Sequence, residues 1–209
     1  MSKVVDILKK VGAVITDDHF VYTSGKHGEV YINKDALYPH TKETSQVCKL
    51  MAELYKDEEV KVVVGPALGG IILSQWVAYH LSELKGKEIL GVYTVKDEAG
   101  GQVFDRRGYD KLVKGKKTLV VEDLTTTGGS VRKTVESVKQ AGAEVIGVCI
   151  MVNRDPDKVT DEVVGAPLKS VGIIRAEAFD EADCPFCKQK RPINTKIGHG
   201  KEYLAKKGK

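Results

Sequence analysis

The chain is predicted to be an α/β protein built on a central, mostly parallel sheet flanked by helices. Three observations carry that expectation. Short, continuously apolar runs alternate with segments of helical periodicity. The run LVVEDLTTTGGSV (119–131) ends in two adjacent carboxylates and a loop of hydroxyls and glycines that leads into a helix. Two polar stretches, around residues 23–28 and over 96–117, interrupt the alternation. Strands that are apolar along their whole length belong in parallel sheets covered on both faces.

The elements follow in order. Ser2 stands where an N-cap belongs, ahead of a helix with apolar residues at Val4, Ile7, Leu8 and Val11, and Gly12 ends it. HFVYTSGKHGEVYINKD (19–35) reads as two short strands around a Ser-Gly-Lys-His-Gly turn. A helix starting at Thr41 presents Val47, Leu50, Met51 and Leu54 on one face. Strand KVVVG (61–65), helix 69–84, strand ILGVYTV (89–95), strand TLVVE (118–122), helix 130–141 closed by Gly142, and strand EVIGVCIMV (144–152) complete the rhythm. The segment after Asp155 reads as irregular, and the Lys-rich KEYLAKKGK as a solvated tail.

Bulk properties narrow the function classes. A chain of 209 residues fits one domain, possessing enough length for its own core. A net charge of +4 does not argue for nucleic acid but suits a polyanionic small ligand. Four unevenly spaced cysteines exclude a secreted disulfide scaffold, no run reaches transmembrane length, and Asp6, Lys9 and Lys10 break the apolar pattern a signal peptide needs. The expected compartment is the cytoplasm.

In open α/β sheets the ligand lies beyond the carboxyl ends of the strands. Glu122 and Asp123 fall at such an end, and residues 125–130 feed a helix N-terminus. Free backbone N–H groups and the helix dipole favour an anion there, and Gly128 and Gly129 let the backbone close around a phosphate. Thr126, Thr127 and Ser130 add hydroxyl donors. Acids beside a phosphate site make sense if they accept hydrogen bonds from sugar hydroxyls or face a cation, so a sugar phosphate satisfies both ends. The segment lacks the Lys-[Ser/Thr] of a P-loop and the GxGxxG of a dinucleotide fingerprint.

LVVEDLTTTGGSV resembles the phosphoribosyl-diphosphate (PRPP) motif of the type I phosphoribosyltransferases, and nearly the whole chain is similar to the orotate phosphoribosyltransferases. HFVYTSGKHGEVYINKD is similar to that family's N-terminal hood, GPALGG (65–70) to its pyrophosphate loop, and VNRDP (152–156) to the segment whose arginine meets the orotate carboxylate. The resemblance implies the type I fold in one phosphoribosyltransferase domain over 1–209, with a small hood at about 1–40, completed by the C-terminal tail, and a core at about 41–155. It implies that Glu122 and Asp123 bind the ribose hydroxyls and that Thr126, Thr127, Gly128, Gly129 and Ser130 cradle the 5-phosphate, with Thr126 also within reach of the base and Leu124 and Thr125 counted among the substrate-binding residues. Arg154 pairs with the orotate carboxylate, Lys26 lies over base and ribose, and Lys96 meets the pyrophosphate. Lys96, Glu122, Asp123 and Arg107 are then the catalytic set. Mg²⁺ is expected to arrive with PRPP rather than on protein ligands. Segment 96–117 is expected to be a lid, and a homodimer is implied.

The pattern has departures. The 96–117 segment holds no histidine, which leaves two readings of Arg106 and Arg107, as the cations that take its role beside Lys96 or as two solvated arginines, and Ala67-Leu68 stand where many relatives carry a lysine. A phosphoribosyltransferase for another base and a non-catalytic PRPP-binding regulator stay open as alternatives. Cys184-Pro-Phe-Cys187 offers two ligands where structural zinc normally needs four. No second CxxC exists, Cys48 and Cys149 sit in apolar patterns, and His199 is the one nearby histidine. The pair is read as reduced or surface thiols and no metal ligand is assigned. His27 is read as structural or substrate-positioning, while His19, His40 and His80 carry no signal.

Overall fold

A computed structural model describes residues 2–22, 24–105 and 107–208. Its centre is a six-stranded sheet built from β5 (Val62–Pro66), β6 (Leu90–Lys96), β7 (Gln102–Val103), β8 (Lys117–Thr125), β9 (Glu144–Asn153) and β10 (Leu168–Ile173). The strand order is β10-β9-β8-β5-β6-β7. All neighbours are parallel except the β6–β7 pair.

Alternation within the apolar strands explains why they carry no polar face. Val63, Leu119, Val121, Cys149 and Met151 point into one core, shared with α1 (Lys3–Lys10), α2 (Thr41–Glu53) and α3 (Gly69–Lys85). Their neighbours Val62, Val64, Val120, Val148 and Ile150 point into the opposite core, shared with α4 (Tyr109–Val113), α5 (Gly129–Gln140) and α6 (Asp161–Val164). Each strand is therefore apolar on both sides. From β5 the chain crosses through α3 to β6 on one side, whereas β8, α5 and β9 build outward on the other. The β5–β8 boundary is the topological switch point, where open α/β sheets form their ligand crevice.

The hood consists of two antiparallel pairs. β2 (Phe20–Val21) pairs with β3 (His27–Gly28), and β1 (Val14–Ile15) pairs with β4 (Tyr31–Ile32). The C-terminal segment flanks the β2–β3 hairpin on both sides. His27 and Phe179 exchange two backbone hydrogen bonds of 2.8 Å, while His199 N–H donates to the Val21 carbonyl at 3.0 Å.

Four sequence expectations need correction. Ser2 precedes α1 but makes no side-chain cap, and its hydroxyl is buried without a partner. The buried face of α2 is Thr44, Val47, Cys48, Met51 and Ala52, with Leu50 at its margin and Leu54 exposed. Thr44 was missed because its hydroxyl hides its polarity by donating to the Leu37 carbonyl at 3.0 Å. The segment after Asp155 is not irregular: it supplies α6 and the edge strand β10, whose LKSVGI lacks a continuous apolar run because an edge strand is only half covered. KEYLAKKGK is not wholly a solvated tail, since α8 (Gly200–Lys206) sets the Tyr203 ring edge-on to His27, centroids 5.0 Å apart. Gly12 and Gly142 do stop α1 and α5, at φ of 70° and 81°. Among the described residues no helix is long and apolar enough to cross a membrane.

Tyr55 ties the end of α2 to the middle of β9. Its buried hydroxyl donates to the Val148 carbonyl at 2.7 Å, and its ring fills the space that a side chain at Gly147 would need. Tyr55→Phe should lower the unfolding free energy by about 1 kcal/mol. Urea denaturation reads this directly, and an unchanged midpoint and slope would show that the bond adds nothing.

Candidate active site

Two loops meet at the switch point. The first, GPALGG, turns β5 into α3. A Cβ on Gly65 would strike the Gly70 backbone, and one on Gly70 would strike Gly65 and Pro66, so strand end and helix start close directly on each other. The Ala67–Leu68 peptide is cis, and the Leu68 side chain is 82% exposed. A Cβ on Gly69 would overlap the Asp123 carboxylate and the Tyr38 hydroxyl. The glycines here make room for the acids of the second loop.

That loop begins inside β8, where Glu122 and Asp123 are both buried. Asp123 Oδ2 accepts from the Tyr38 hydroxyl at 2.7 Å and lies 3.0 Å from the Lys34 ammonium. Glu122 Oε1 accepts from the Asp123 N–H at 3.1 Å, and its Oε2 accepts from the Ser130 hydroxyl at 3.2 Å. Burial first, and then the Asp123 charge, push the Glu122 carboxyl well above the ordinary carboxylate range. Burial opposes the half-buried Lys34 charge, but Asp123 more than compensates and raises the Lys34 pKa. Burial, followed by Asp123, likewise drives the Tyr38 phenol upward, so it stays a donor. Lys34 and Tyr38 were missed in the sequence. The signal available was a lysine and a tyrosine close behind the hood strands, but nothing local links them to Asp123, 85 residues beyond Tyr38.

Beyond the acids, Leu124 is half buried against the α1–α3 core, and Thr125 braces the turn by accepting the Gly128 N–H at 3.1 Å. Gly128 has φ 77°, and a Cβ there would press on Val163. Arg132 N–H donates to the Gly128 carbonyl at 2.9 Å, starting α5 and leaving the first-turn amides facing outward. Thr126, Thr127, Gly129 and Ser130 are exposed around that helix start.

A cavity of about 760 Å³ opens beside this loop. Thr126 and Thr127 form one wall, Tyr22, Ser24 and Lys26 of the hood a second, and Arg154, Lys158 and Arg175 a third. The Arg154 guanidinium lies 4.8 Å from the centroid of the Tyr22 ring, and its Nε is buried with no hydrogen-bond partner. Lys26 pairs with Asp180 at 3.1 Å. Lys158 and Arg175 were missed because the segment after Asp155 looked irregular.

The structure does not bring every expected residue to this cavity. Lys96 is exposed at the end of β6, opposite Gln102 of β7. Arg107 pairs with Asp105 and sits 5.4 Å from the centroid of the Tyr93 ring, while Arg106 lies outside the described residues. Much of segment 96–117 is folded. The Thr94 hydroxyl donates to Gln102 Oε1 at 2.8 Å, Lys133 donates to the Gly100 carbonyl at 2.7 Å, and Val113 is fully buried. The polar residues of this segment hold it against the sheet edge and α5.

The raised Glu122 pKa makes stability depend on pH. Folded Glu122 holds its proton more tightly than the unfolded chain, whose value is near the ordinary 4.5. Its contribution is therefore complete below that value and is lost as pH rises through the folded pKa. Glu122→Gln, which stays neutral, should gain stability relative to the parent as pH is raised from about 5 to about 8. Urea denaturation across that range reads the gap, and a gap independent of pH would show that Glu122 ionises normally.

Comparison with known proteins agrees with this arrangement. Residues 33–165 match the phosphoribosyl transferase domain model. The chain is 37% identical over 192 residues to an orotate phosphoribosyltransferase of a Thermoanaerobacter species, covering 92% of this chain and 94% of that protein. It is 37% identical over 188 residues to the orotate phosphoribosyltransferase of Thermotoga maritima, covering 90% and 93%. The crystal structure of the Mycobacterium tuberculosis orotate phosphoribosyltransferase in complex with PRPP superposes with a TM-score of 0.57 at 26% identity, covering 82% of this chain and 96% of that one. With a buried acid pair at the sheet's switch point, an exposed helix start beside it, and this likeness along nine-tenths of its length, the chain belongs to the orotate phosphoribosyltransferase family of the phosphoribosyltransferases.

Proposed function

We propose that the protein transfers the phosphoribosyl group of PRPP to orotate, giving orotidine 5′-phosphate and pyrophosphate in pyrimidine nucleotide biosynthesis. The observation behind this is the shared cavity: the threonines of an anion-binding helix start and an arginine with an unpartnered buried Nε open onto one space. A ligand with a phosphate at one end and a carboxylate at the other satisfies both.

In this reading Thr126, Thr127, Gly129 and Ser130 hold the 5-phosphate with hydroxyls and first-turn amides. Glu122 and Asp123 accept from the ribose hydroxyls, and the Asp123 carboxylate, joined by Glu122 in its ionised form, stabilises the positive charge that builds on the ring as the bond to pyrophosphate breaks. Arg154 clamps the orotate carboxylate with its guanidinium fork, and Lys26 covers base and ribose from the hood. The base nitrogen then attacks the anomeric carbon as pyrophosphate leaves. Lys96 and Arg107 stabilise the charge on the departing pyrophosphate once the β6–β7 hairpin tip moves over the site.

Mg²⁺ fits as a companion of the substrate. The protein offers oxygen donors that suit this ion, but both oxygens of Glu122 and Oδ2 of Asp123 already receive Ser130, Tyr38, Lys34 and a backbone N–H, which supports an ion carried in by the diphosphate rather than one caged by these acids. Bound with the diphosphate, the ion neutralises negative charge on the leaving group. A homodimer, as expected of the family, belongs to this reading.

The test is turnover. Purified protein with PRPP, Mg²⁺ and orotate should consume orotate absorbance, while adenine, guanine, hypoxanthine and uracil release no pyrophosphate. Turnover of another base would overturn the base assignment, and PRPP binding without turnover would overturn the enzyme reading. Lys96→Ala should lower kcat about a hundredfold with the fold intact, and unchanged turnover would remove Lys96 from the site. Arg154→Ala should raise the KM for orotate about tenfold or more while sparing that for PRPP. Equal effects on both substrates would show that Arg154 does not hold the base.

A further inference from the structure

Four side chains that the proposed reaction does not use converge beneath the hood. His19 precedes β2, His27 opens β3, and at the other end of the chain Cys184 stands at the N-cap of α7 (Pro185–Lys188) while Cys187 lies within it. One ligand atom from each lies within 4.8 Å of all the others. His19, His27 and Cys184 are fully buried, so the CxxC is no surface pair, and all the thiols are free.

The individual distances suit a metal. Tetrahedral zinc, with bonds of about 2.0 Å to nitrogen and 2.3 Å to sulfur, sets its ligand atoms about 3.3–3.8 Å apart. Cys187 Sγ lies 3.4 Å from His27 Nδ1 and 3.8 Å from His19 Nε2, and Cys184 Sγ lies 3.7 Å from His19 Nε2. The His19 Nε2 to His27 Nδ1 distance is shorter, 2.8 Å, a hydrogen-bonded contact that must open by about half an ångström around an ion. Orientation agrees as well. His19 Nδ1 is 2.9 Å from the Arg191 carbonyl, which can only accept, so the ring proton sits on Nδ1 and the Nε2 lone pair faces the cluster.

We propose that His19, His27, Cys184 and Cys187 form a structural Zn²⁺ site that fastens the hood hairpin to the C-terminal segment. The need for a staple is physical. β2 and β3 are two residues each, and a hairpin that short does not hold itself together in water. The same hairpin carries Tyr22 and Lys26 into the cavity, with Tyr22 N–H donating to the Lys26 carbonyl at 2.8 Å. The ion thus sets one wall of the binding site from a distance and takes no part in the chemistry. The cluster has two soft thiolates and two imidazoles with no carboxylate, a donor set that favours zinc over magnesium or calcium.

The experiment is metal analysis of the full chain purified without chelator. About one zinc per chain is expected, with His40→Gln as a control that keeps it and Cys187→Ser and His19→Gln as variants that lose it. Exchange for Co²⁺ should give the intense visible absorption of a tetrahedral thiolate site. Removing the zinc should lower Tm by about 5 °C or more, restored by added Zn²⁺. Wild-type protein that carries no zinc, takes up none when Zn²⁺ is added and gives no tetrahedral Co²⁺ spectrum overturns the proposal. So does zinc retained in both ligand variants. Should those variants fail to fold, the Co²⁺ spectrum of the wild-type protein decides alone.

Discussion

The arrangement depends on two adjacent carboxylates buried at the end of a parallel strand. Two such charges cannot sit side by side out of water without compensation. Here the compensation is assembled from four places: the Lys34 ammonium and Tyr38 hydroxyl behind the hood, the Ser130 hydroxyl on α5, and the N–H of Asp123 itself. Gly69 completes the set by leaving α3 without a side chain where the Asp123 carboxylate lies. The acids therefore tie the hood, both switch-point loops and the first turn of α5 to one point. The acid pair proposed to meet the ribose is also the joint that organises the domain.

Charge is distributed by wall. The buried acids and their partners occupy the strand end, while the cavity next to it is lined by Lys26, Arg154, Lys158 and Arg175 together with Asp155 and Glu177, Lys26, Lys158 and Arg175 being paired with Asp180, Asp155 and Asp157. That separation suits a substrate whose sugar needs acceptors and whose anionic groups need donors.

The hood has little core of its own. Its strands are two residues long, and its backbone partners come largely from residues 179–199. A binding wall on so slight a scaffold needs cross-links, and the His19–His27–Cys184–Cys187 cluster lies where one would hold most. The chain's two ends thus cooperate over a site whose phosphate loop lies in the middle.

The parallel sheet, its main helices and the loop that joins β8 to α5 were legible in the sequence because each is written locally. Val62–Val64, Leu119–Val121 and Val148–Val152 are apolar without interruption because both faces of those strands are covered, and Glu122 to Ser130 carries acids, hydroxyls and glycines in one contiguous run. Strand β10 was not legible, because an edge strand needs only half a pattern. The α2 face was misread at Thr44, whose polarity is cancelled by a carbonyl seven residues earlier. Only the tertiary structure decided that Lys34 and Tyr38 serve Asp123 and that two histidines meet two cysteines 157 to 168 residues away. Periodicity and motif spacing report what neighbours in sequence do together. Which distant side chains must share a buried charge or a ligand position is settled only when the chain closes and water leaves.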